Sequence, residues 1–127
     1  MKILLISNDS TLKEKILMSD LIGASEVFTY ESNPDPLSVL THVCTLNPGI
    51  VILDDDFLNP NSEGILKSIK TIKSEISVIF TTSDTSIELG RKITPLGVQY
   101  YAIKPFSDNE FHDSLESIIK LKMSKSN

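Results

Sequence analysis

The sequence predicts an α/β domain: a three-layer, doubly wound sandwich in which a strand and a helix alternate five times. Two uninterrupted apolar runs, residues 3–6 and 50–53, are too short for helices and have the composition of strands buried on both faces. Apolar residues at helical spacing lie between such runs, as the crossover connections of a parallel sheet require. The length of 127 residues and the hydrophobic content of 40% fit one domain with its own core.

The first strand, residues 3–6, leads to Ser10, a favourable residue for capping the start of a helix. Gly23 predicts the end of that helix, and residues 26–30 form a shorter, more polar strand suited to a sheet edge. Residues 32–36 contain two prolines and an asparagine and predict a loop. The first helix is expected to bury four residues at helical spacing, namely Leu12, Ile16, Leu17 and Leu21.

A second helix should end at residues 47–49, Asn-Pro-Gly, directly before the central strand at 50–53. Cys44 falls on the apolar face of that helix and is expected in the core. Residues 57–64 predict a loop before a third helix. The predicted inward-facing residues are Leu37, Leu40, Val43 and Cys44 in the second helix and Ile65, Ile69 and Ile72 in the third.

Residues 78–82 and 99–103 predict the fourth and fifth strands, with a short helix between them that opens at residues 83–86. Pro95 and Gly97 predict the end of that helix. The last helix should be capped by Ser107 or Asp108, should bury Phe111, Leu115, Ile118 and Ile119, and should fray over residues 120–127.

The composition of the strands predicts their order in the sheet. The second strand is the most polar and belongs at an edge, whereas the first and third are the most apolar and belong in the centre. The order 2-1-3-4-5 satisfies both conditions and is one of the two common orders of doubly wound sheets.

Charge and composition exclude several classes of function. A net charge of −5 argues against direct binding of nucleic acid. No apolar stretch is long enough to span a membrane, and the apolar run at the N-terminus is too short for a signal peptide. A single cysteine rules out an internal disulfide and a thiolate metal cluster. We therefore expect a soluble, cytoplasmic protein with neither nucleic acid nor membrane as its partner.

Polar residues follow four predicted strands at the points where those strands end. They are residues 7–9 (Ser-Asn-Asp), 54–56 (three aspartates), 82–83 (Thr-Ser) and Lys104. In the predicted order these carboxyl ends meet at one rim of the sheet, where doubly wound proteins bind their ligands. Carboxylate and carbonyl oxygens suit Mg²⁺, while a lysine and a hydroxyl suit the oxygens of a phosphoryl group. An aspartate can be the nucleophile that accepts that group.

With these residues, the chain resembles the receiver domains of two-component response regulators, which have a flavodoxin-like fold, over residues 1–123. Four segments carry the resemblance. Residues 1–6 (Met-Lys-Ile-Leu-Leu-Ile) match the opening strand, and residues 48–54 (Pro-Gly-Ile-Val-Ile-Leu-Asp) match the strand that bears the phosphoacceptor. Residues 78–83 (Val-Ile-Phe-Thr-Thr-Ser) match the strand that ends in the switch hydroxyl, and residues 97–106 end in the Lys-Pro-Phe of the family. The order and spacing of these segments make the resemblance specific.

The resemblance implies roles for five residues. Asp54 is the expected phosphoacceptor, and Lys104 is expected to contact the phosphoryl group. The peptide bond between Lys104 and Pro105 is expected to be cis. Thr82 and Tyr101 are the expected switch pair, with Thr82 moving toward the phosphoryl group and Tyr101 turning inward behind it.

The resemblance also implies a Mg²⁺ cofactor, held by Asp54, the backbone carbonyl of Asp56, and residues after the first strand. Receivers carry two acidic residues at that point, where this chain has Ser7 and Asn8, both neutral. Metal binding is therefore expected to be weaker. Asn8 can still offer an oxygen, and Asp9 can substitute for the missing carboxylate by a shift of one residue.

The segment after the predicted acceptor is a second departure from the family. About two extra residues lie between Asp54 and Gly64, by alignment of this loop. Asp55 and Asp56 stand where the family commonly has apolar residues. Their carboxylates either restore negative charge near the metal or are solvated.

Two functions remain open. The first is a phosphoacceptor that takes a phosphoryl group from a sensor histidine kinase or phosphotransfer protein. It would change its binding to a downstream protein through the surface of the fourth helix, the fifth strand and the last helix. The second is a degenerate receiver, a pseudo-receiver, that binds a partner without phosphorylation. A flavodoxin-like cofactor enzyme is disfavoured because no glycine-rich phosphate loop follows the first strand.

Three further expectations concern organisation. Residues 1–123 form the receiver domain and 124–127 a polar tail, with no output domain in this chain. The domain is not an enzyme, beyond its own phosphorylation and dephosphorylation. Dimerisation through the faces of the last two helices is left open.

Overall fold

The computed structural model describes residues 1–17 and 25–125 of the chain. It contains a five-stranded, all-parallel sheet in the order β2-β1-β3-β4-β5, which confirms the predicted fold class and strand order. The strands are β1 (Lys2–Ile6), β2 (Glu26–Tyr30), β3 (Ile50–Asp54), β4 (Ser77–Thr82) and β5 (Tyr100–Ile103). The helices are α1 (Ser10–Leu17), α2 (Pro36–Leu46), α3 (Asp55–Leu58), α4 (Ser62–Ile72), α5 (Ile87–Ile93) and α6 (Asp108–Lys125), with a 3₁₀ turn at Thr94–Leu96.

Two cores form because successive side chains of a strand point to opposite faces of the sheet. On one face Leu53 and Phe80 lie in a cluster with α2, α3, α4 and α5. On the other face Ile52 and Ile79 pack with α1 and α6. β3 and β4 are therefore buried along their whole length, whereas the side chains of the edge strand β2 are only partly buried or exposed.

The predicted apolar face of α2 is confirmed for Val43, which is buried, and for Leu40, which packs against the core, but it is wrong for Leu37 and Cys44. Val39 and Val43 are the buried residues of this helix, while Leu37 is 76% exposed and Cys44 is also exposed. Val39 and Val43 are four residues apart and form the row that faces the sheet. Leu37 lies ~200° around the helix from Val39, at ~100° per residue, so it points to solvent. Cys44 is consequently not a core residue.

Two other helix faces also differ from the prediction. Leu17 and Ile72 are each more than half exposed, and α4 buries Leu66 in addition to Ile65 and Ile69. Both exposed residues stand at the last described position of their helix, beyond the turn that packs on the sheet. The predictions for Leu21 and Gly23 fall outside the described residues.

The predicted loop at residues 57–64 is largely helical. Asp54 ends β3 and its carboxylate accepts the Asp56 N–H, which caps the single turn of α3. Leu58 is fully buried and fixes this turn to the core, and α4 already begins at Ser62. The segment after β3 therefore holds its three aspartates in one defined backbone conformation.

The last helix agrees with the prediction at its start and differs at its end. The Ser107 hydroxyl accepts the Glu110 N–H at 3.1 Å, so Ser107 is the N-cap, and the four predicted residues of α6 are buried. The helix continues to Lys125 instead of fraying from residue 120. An ion pair between Glu116 and Lys120, at 2.7 Å, supports this additional length.

Candidate functional site

The carboxyl ends of β1, β3, β4 and β5 meet at one rim, as the sequence predicts. The register pairs Ile6 with Leu53 and Asp54 with Thr81, so Ser7 follows β1 directly beside Asp54. Lys104 follows β5 next to Thr82, to whose carbonyl it donates its backbone N–H at 2.7 Å. Adjacent parallel strands thus bring together residues that are far apart in the sequence.

Lys104 joins the carboxylates of this rim. Its Nζ lies 2.9 Å from an oxygen of Asp9, 2.9 Å from one of Asp54 and 3.1 Å from one of Asp56. Burial by itself would lower the pKa of Lys104, but hydrogen bonds to Asp54 and Asp9 outweigh it, and the pKa is raised. The ammonium group is therefore charged at neutral pH and is the counter-ion of three aspartates.

Asp54 is the most deeply buried of the three, with 1% of its side chain exposed. Besides Lys104, its Oδ1 accepts the Thr81 hydroxyl at 3.2 Å and the Asp56 N–H at 3.3 Å. Its Oδ2 accepts the Ser7 hydroxyl at 2.5 Å. Both carboxylate oxygens are thus bound by donors of the protein, as a buried charge requires.

Asp9 connects the site to α1. Its Oδ1 accepts the backbone N–H groups of Thr11 and Leu12, at 3.0 and 3.2 Å, while its Oδ2 binds Lys104. Burial opposes ionisation of Asp9, but the bonds from Lys104 and Leu12 prevail and lower its pKa. Asp9 is therefore the cap of the first helix as well as a partner of Lys104.

Asp56 lies at the outer edge of the site, with 37% of its side chain exposed. Its Oδ1 accepts the Ser83 N–H at 3.1 Å and its Oδ2 accepts the Ser83 hydroxyl at 2.7 Å. Burial works to raise the pKa of Asp56, but the hydrogen bonds from Ser83 and Lys104 lower it. The carboxylate of Asp56, in addition to any role of its carbonyl, thus belongs to the site.

Thr82, the predicted switch hydroxyl, contacts Asp55. The Thr82 hydroxyl is fully buried, donates to Asp55 Oδ2 at 2.7 Å and accepts the Asp84 N–H at 3.0 Å. The other oxygen of Asp55 accepts the Ser62 hydroxyl at 2.7 Å. Asp55 is only 4% exposed, so the interpretation of this carboxylate as solvated is wrong. It joins the end of β4 to the start of α4.

Tyr101, the other predicted switch residue, packs on the face of the sheet that carries Phe80. The two rings are stacked, with centroids 5.4 Å apart. Within the described part of the chain, the buried Tyr101 hydroxyl has no hydrogen-bond partner. Burial raises the pKa of Tyr101, and the nearby charges of Asp55 and Asp84 act in the same direction. An unpaired buried hydroxyl disfavours this position of the ring, since it forgoes a hydrogen bond.

The predicted metal-ligating side chains at the rim are not arranged as a Mg²⁺ site. Among residues 1–17 and 25–125, no three carboxylate, histidine or cysteine side chains are grouped to hold a metal ion. Asp9 and Asp54 are turned to Lys104, Ser7 donates to Asp54 where an acidic residue was expected, and Asn8 is exposed. The lysine supplies the positive charge that the carboxylates need. The predicted metal ligands thus lie at the rim, but the carboxylate oxygens of Asp9 and Asp54 are bound to protein donors.

Two hydroxyls of the site were not predicted, that of Thr81, which binds Asp54, and that of Ser62, which binds Asp55. Ser83 was expected at the rim, and its hydroxyl binds Asp56. The run Thr81-Thr82-Ser83 at the end of a buried strand was the available signal, because consecutive hydroxyls at a rim offer donors to carboxylates on the neighbouring strand. The expected cis bond between Lys104 and Pro105 is present, and Asn59–Pro60 is also cis.

We expect Asp55→Ala to destabilise the domain by about 2 kcal/mol, because two buried hydroxyls lose their charged acceptor. Urea denaturation followed by circular dichroism measures the change. Asp113→Ala, at an exposed position of α6, is the matched control and should stay within about 0.5 kcal/mol of the wild type. Equal stability of the two variants would contradict the role given to Asp55.

Comparison with known proteins bears on the fold. No family model and no curated protein matches the sequence. The chain is similar to the signal receiver domain of a putative Luxo repressor protein from Vibrio parahaemolyticus (20% identity, 98% of this chain and 94% of that one, TM-score 0.78). The chain has the fold of response-regulator receiver domains.

Two other solved receiver domains have the same fold as this chain. A response regulator receiver domain protein from Clostridium thermocellum is 26% identical, with 96% of each chain covered and a TM-score of 0.73. The BeF3-activated receiver domain of DrrB is 20% identical over 94% of this chain and 97% of that one, with a TM-score of 0.75. In the part of the chain that the structure describes, no helix is long and apolar enough to span a membrane.

Proposed function

We propose that this receiver domain is a signalling module that accepts a phosphoryl group from a sensor histidine kinase or phosphotransfer protein. The proposal is supported by one observation above all: in a receiver fold, a single lysine at the end of β5 binds the aspartates at the rim. A carboxylate beside a fixed ammonium group combines a nucleophile with a donor for phosphoryl oxygens. The domain has a signalling role and is not an enzyme with an external substrate.

The bonds made and broken in the transfer balance between a carboxylate of this chain and a phosphoryl donor. A carboxylate oxygen attacks phosphorus, and the bond from phosphorus to the donor atom breaks. The electron pair stays on the departing group, and an acyl phosphate forms on the protein. Lys104 and the Ser83 hydroxyl can donate to the phosphoryl oxygens and balance their charge. The resemblance to receivers names Asp54 as the acceptor.

We propose Thr82 and Tyr101 as the elements that respond. A new anion at the rim competes with Asp55 for the Thr82 hydroxyl, and Tyr101 packs against the same end of β4. Movement of these two side chains would change the surface of α5, β5 and α6. Ile87 and Ile103 are exposed on that surface and can contact a downstream protein.

The proposal is tested with acetyl phosphate as donor, with and without Mg²⁺, and with beryllofluoride as a phosphoryl mimic. Intact mass should rise by one phosphoryl group, and amide NMR signals at the ends of β4 and β5 should shift with either reagent. Lys67→Met, which removes an exposed lysine of α4, should respond as the wild type does. If neither reagent produces a response at millimolar concentration, the phosphoacceptor proposal fails.

A pseudo-receiver is the second candidate, and two observations favour it. Ser7 and Asn8 replace the acidic pair, and Asp54 is enclosed by donors of the protein. In this case the α5–β5–α6 surface would bind its partner equally well in the wild type and in Asp54→Asn. A binding difference between the two proteins in the presence of acetyl phosphate would exclude this alternative.

We expect Asn8→Asp to raise the affinity for Mg²⁺ about tenfold, because it places a second exposed carboxylate at the rim next to Asp9. Isothermal titration calorimetry with MgCl₂ measures the change. Gln99→Glu adds the same charge at the opposite end of β5 and should leave the affinity unchanged. If Asn8→Asp and Gln99→Glu raise the affinity for Mg²⁺ equally, the increase reflects the net charge of the protein and not coordination of the metal at position 8.

A further inference from the structure

Asp54, the last residue of β3, and Asp56, two residues later, both bind Lys104 but differ in solvent accessibility. The side chain of Asp54 is 1% exposed, whereas that of Asp56 is 37% exposed. A phosphoryl donor must approach the attacking oxygen from outside, with the leaving group on the far side of phosphorus. Only a carboxylate with an oxygen open to solvent can be approached in this way.

The hydrogen bonds of Asp54 reinforce this difference. One of its oxygens accepts from Lys104, Thr81 and the Asp56 N–H, and the other accepts from Ser7. A phosphoryl group on Asp54 would have to displace at least one of these donors inside the buried rim. Each displaced donor left unpaired there carries a desolvation cost.

The surroundings of Asp56 are already those of a phosphoryl site. Lys104 Nζ, the Ser83 N–H and the Ser83 hydroxyl all lie within 3.1 Å of its carboxylate oxygens. Ser83 is exposed at the solvent-facing side of the rim, and the Lys104 side chain, 16% exposed, lies between Asp56 and the buried Asp54. These donors can turn from the carboxylate to the oxygens of an attached phosphoryl group without opening the core.

We propose that Asp56 is the residue that becomes phosphorylated. With acetyl phosphate, an oxygen of Asp56 attacks phosphorus, the bond from phosphorus to the acetyl oxygen breaks, and acetate leaves with the electron pair. Lys104 and Ser83 bind the phosphoryl oxygens. This inference rests on the proposed phosphoacceptor function and changes the residue that carries the group.

Asp54 then acts as a positioning residue. Its Oδ1 binds Lys104 and also accepts the Asp56 N–H, so it orients both the ammonium group and the backbone of the acceptor. Ser7 and Thr81 hold Asp54 itself. A buried, fully bonded carboxylate suits this role because it has one defined orientation.

The experiment locates the acyl phosphate directly. Wild type, Asp54→Asn and Asp56→Asn are incubated with acetyl phosphate, then treated with borohydride, which reduces an aspartyl phosphate to homoserine. Peptide mass spectrometry identifies the converted residue, and circular dichroism shows that each variant is folded. Asp84→Asn, which removes an exposed carboxylate two residues after Thr82, controls for unspecific reaction.

The expected result is homoserine at position 56 in the wild type, its loss in Asp56→Asn and its retention in Asp54→Asn. Homoserine at position 54 in the wild type overturns the inference and leaves the phosphoacceptor function intact. The inference is also overturned if the wild type contains no homoserine while Asp56→Asn contains it at position 54. Asp56 would then hinder the phosphorylation of Asp54 instead of accepting the group itself. Absence of homoserine in all three proteins overturns the proposed function together with the inference.

Discussion

Lys104→Met is expected to destabilise the domain by about 3–5 kcal/mol at pH 7 and to abolish its response to acetyl phosphate. The variant keeps most of the side-chain volume but removes the counter-ion of Asp54, whose carboxylate is 1% exposed. Removing one partner of a buried ion pair leaves an uncompensated charge in a medium of low polarity. Asp56 is more exposed and contributes little to this cost. Urea denaturation measures the stability, and intact mass measures the phosphorylation.

The effect of this substitution depends on pH in a defined direction. In the wild type the pKa values of Asp9 and Asp56 are lowered from 3.8, so their contribution to stability is present above that value. It is lost as the pH falls through the lowered pKa values. In Lys104→Met the same carboxylates protonate more readily, which relieves their repulsion. The difference in free energy of unfolding between the wild type and Lys104→Met should therefore decrease below about pH 4.

The control for Lys104 is a lysine in an exposed ion pair. Lys67 lies 3.1 Å from Glu63 on α4, and both side chains are well exposed. Such pairs contribute about 0.5 kcal/mol, so Lys67→Met should change the stability little at any pH. A loss of stability in Lys104→Met no larger than in Lys67→Met would show that the rim aspartates do not depend on the lysine.

The fold could be predicted because its signals are local and repeated. The apolar runs at β1 and β3 have no polar interruption, and the polar composition of β2 places that strand at an edge. The helix faces were less certain, because one step along a helix turns a side chain by ~100°. In α2 both Val39 and Leu40 are apolar, and only tertiary contact shows that Val39 and Val43 face the sheet.

The sequence predicted where in the fold the site lies, but it predicted only some of the hydrogen bonds within the site. Strand ends with polar residues placed Asp54, Thr82 and Lys104 at one rim, since parallel strands end at the same edge. The sequence could not show that Thr82 binds Asp55, because a hydroxyl binds whichever acceptor its rotamer brings near. The length of the loop was a further signal in the sequence. The segment from Asp54 to Gly64 is about two residues longer than in the family, whereas the segment from Asp56 to Gly64 has the family's length.

The limited number of donors at the rim explains why the neutral residues after β1 matter. Three aspartates share one lysine there, and the hydroxyls of Ser7, Thr81 and Ser83 and backbone N–H groups supply the remaining donors. Two more carboxylates at positions 7 and 8 would exceed what these donors can compensate, and a divalent cation would then be required. With Ser7 and Asn8 neutral, the carboxylates of Asp9, Asp54 and Asp56 are all bound by donors of the protein itself.

Ser7→Asp is therefore expected to destabilise the domain by about 3 kcal/mol or more in metal-free buffer and to make its stability depend on Mg²⁺. Ser7 is 3% exposed, and its hydroxyl lies 2.5 Å from Asp54 Oδ2, so the variant places a second carboxylate against a buried one. A bound cation favours the folded state by about 2.7 kcal/mol when its concentration is 100 times the Kd.

Thermal denaturation in EDTA and over a series of MgCl₂ concentrations measures both the loss of stability in Ser7→Asp and its recovery with Mg²⁺. Ser7→Ala, which loses the hydrogen bond to Asp54 and the one from the Asp9 N–H, should cost about 1–2 kcal/mol with no response to Mg²⁺. Ser7→Asp with wild-type stability in EDTA would mean that the rim tolerates another carboxylate, and the conclusion that its donors are already fully used would then be wrong.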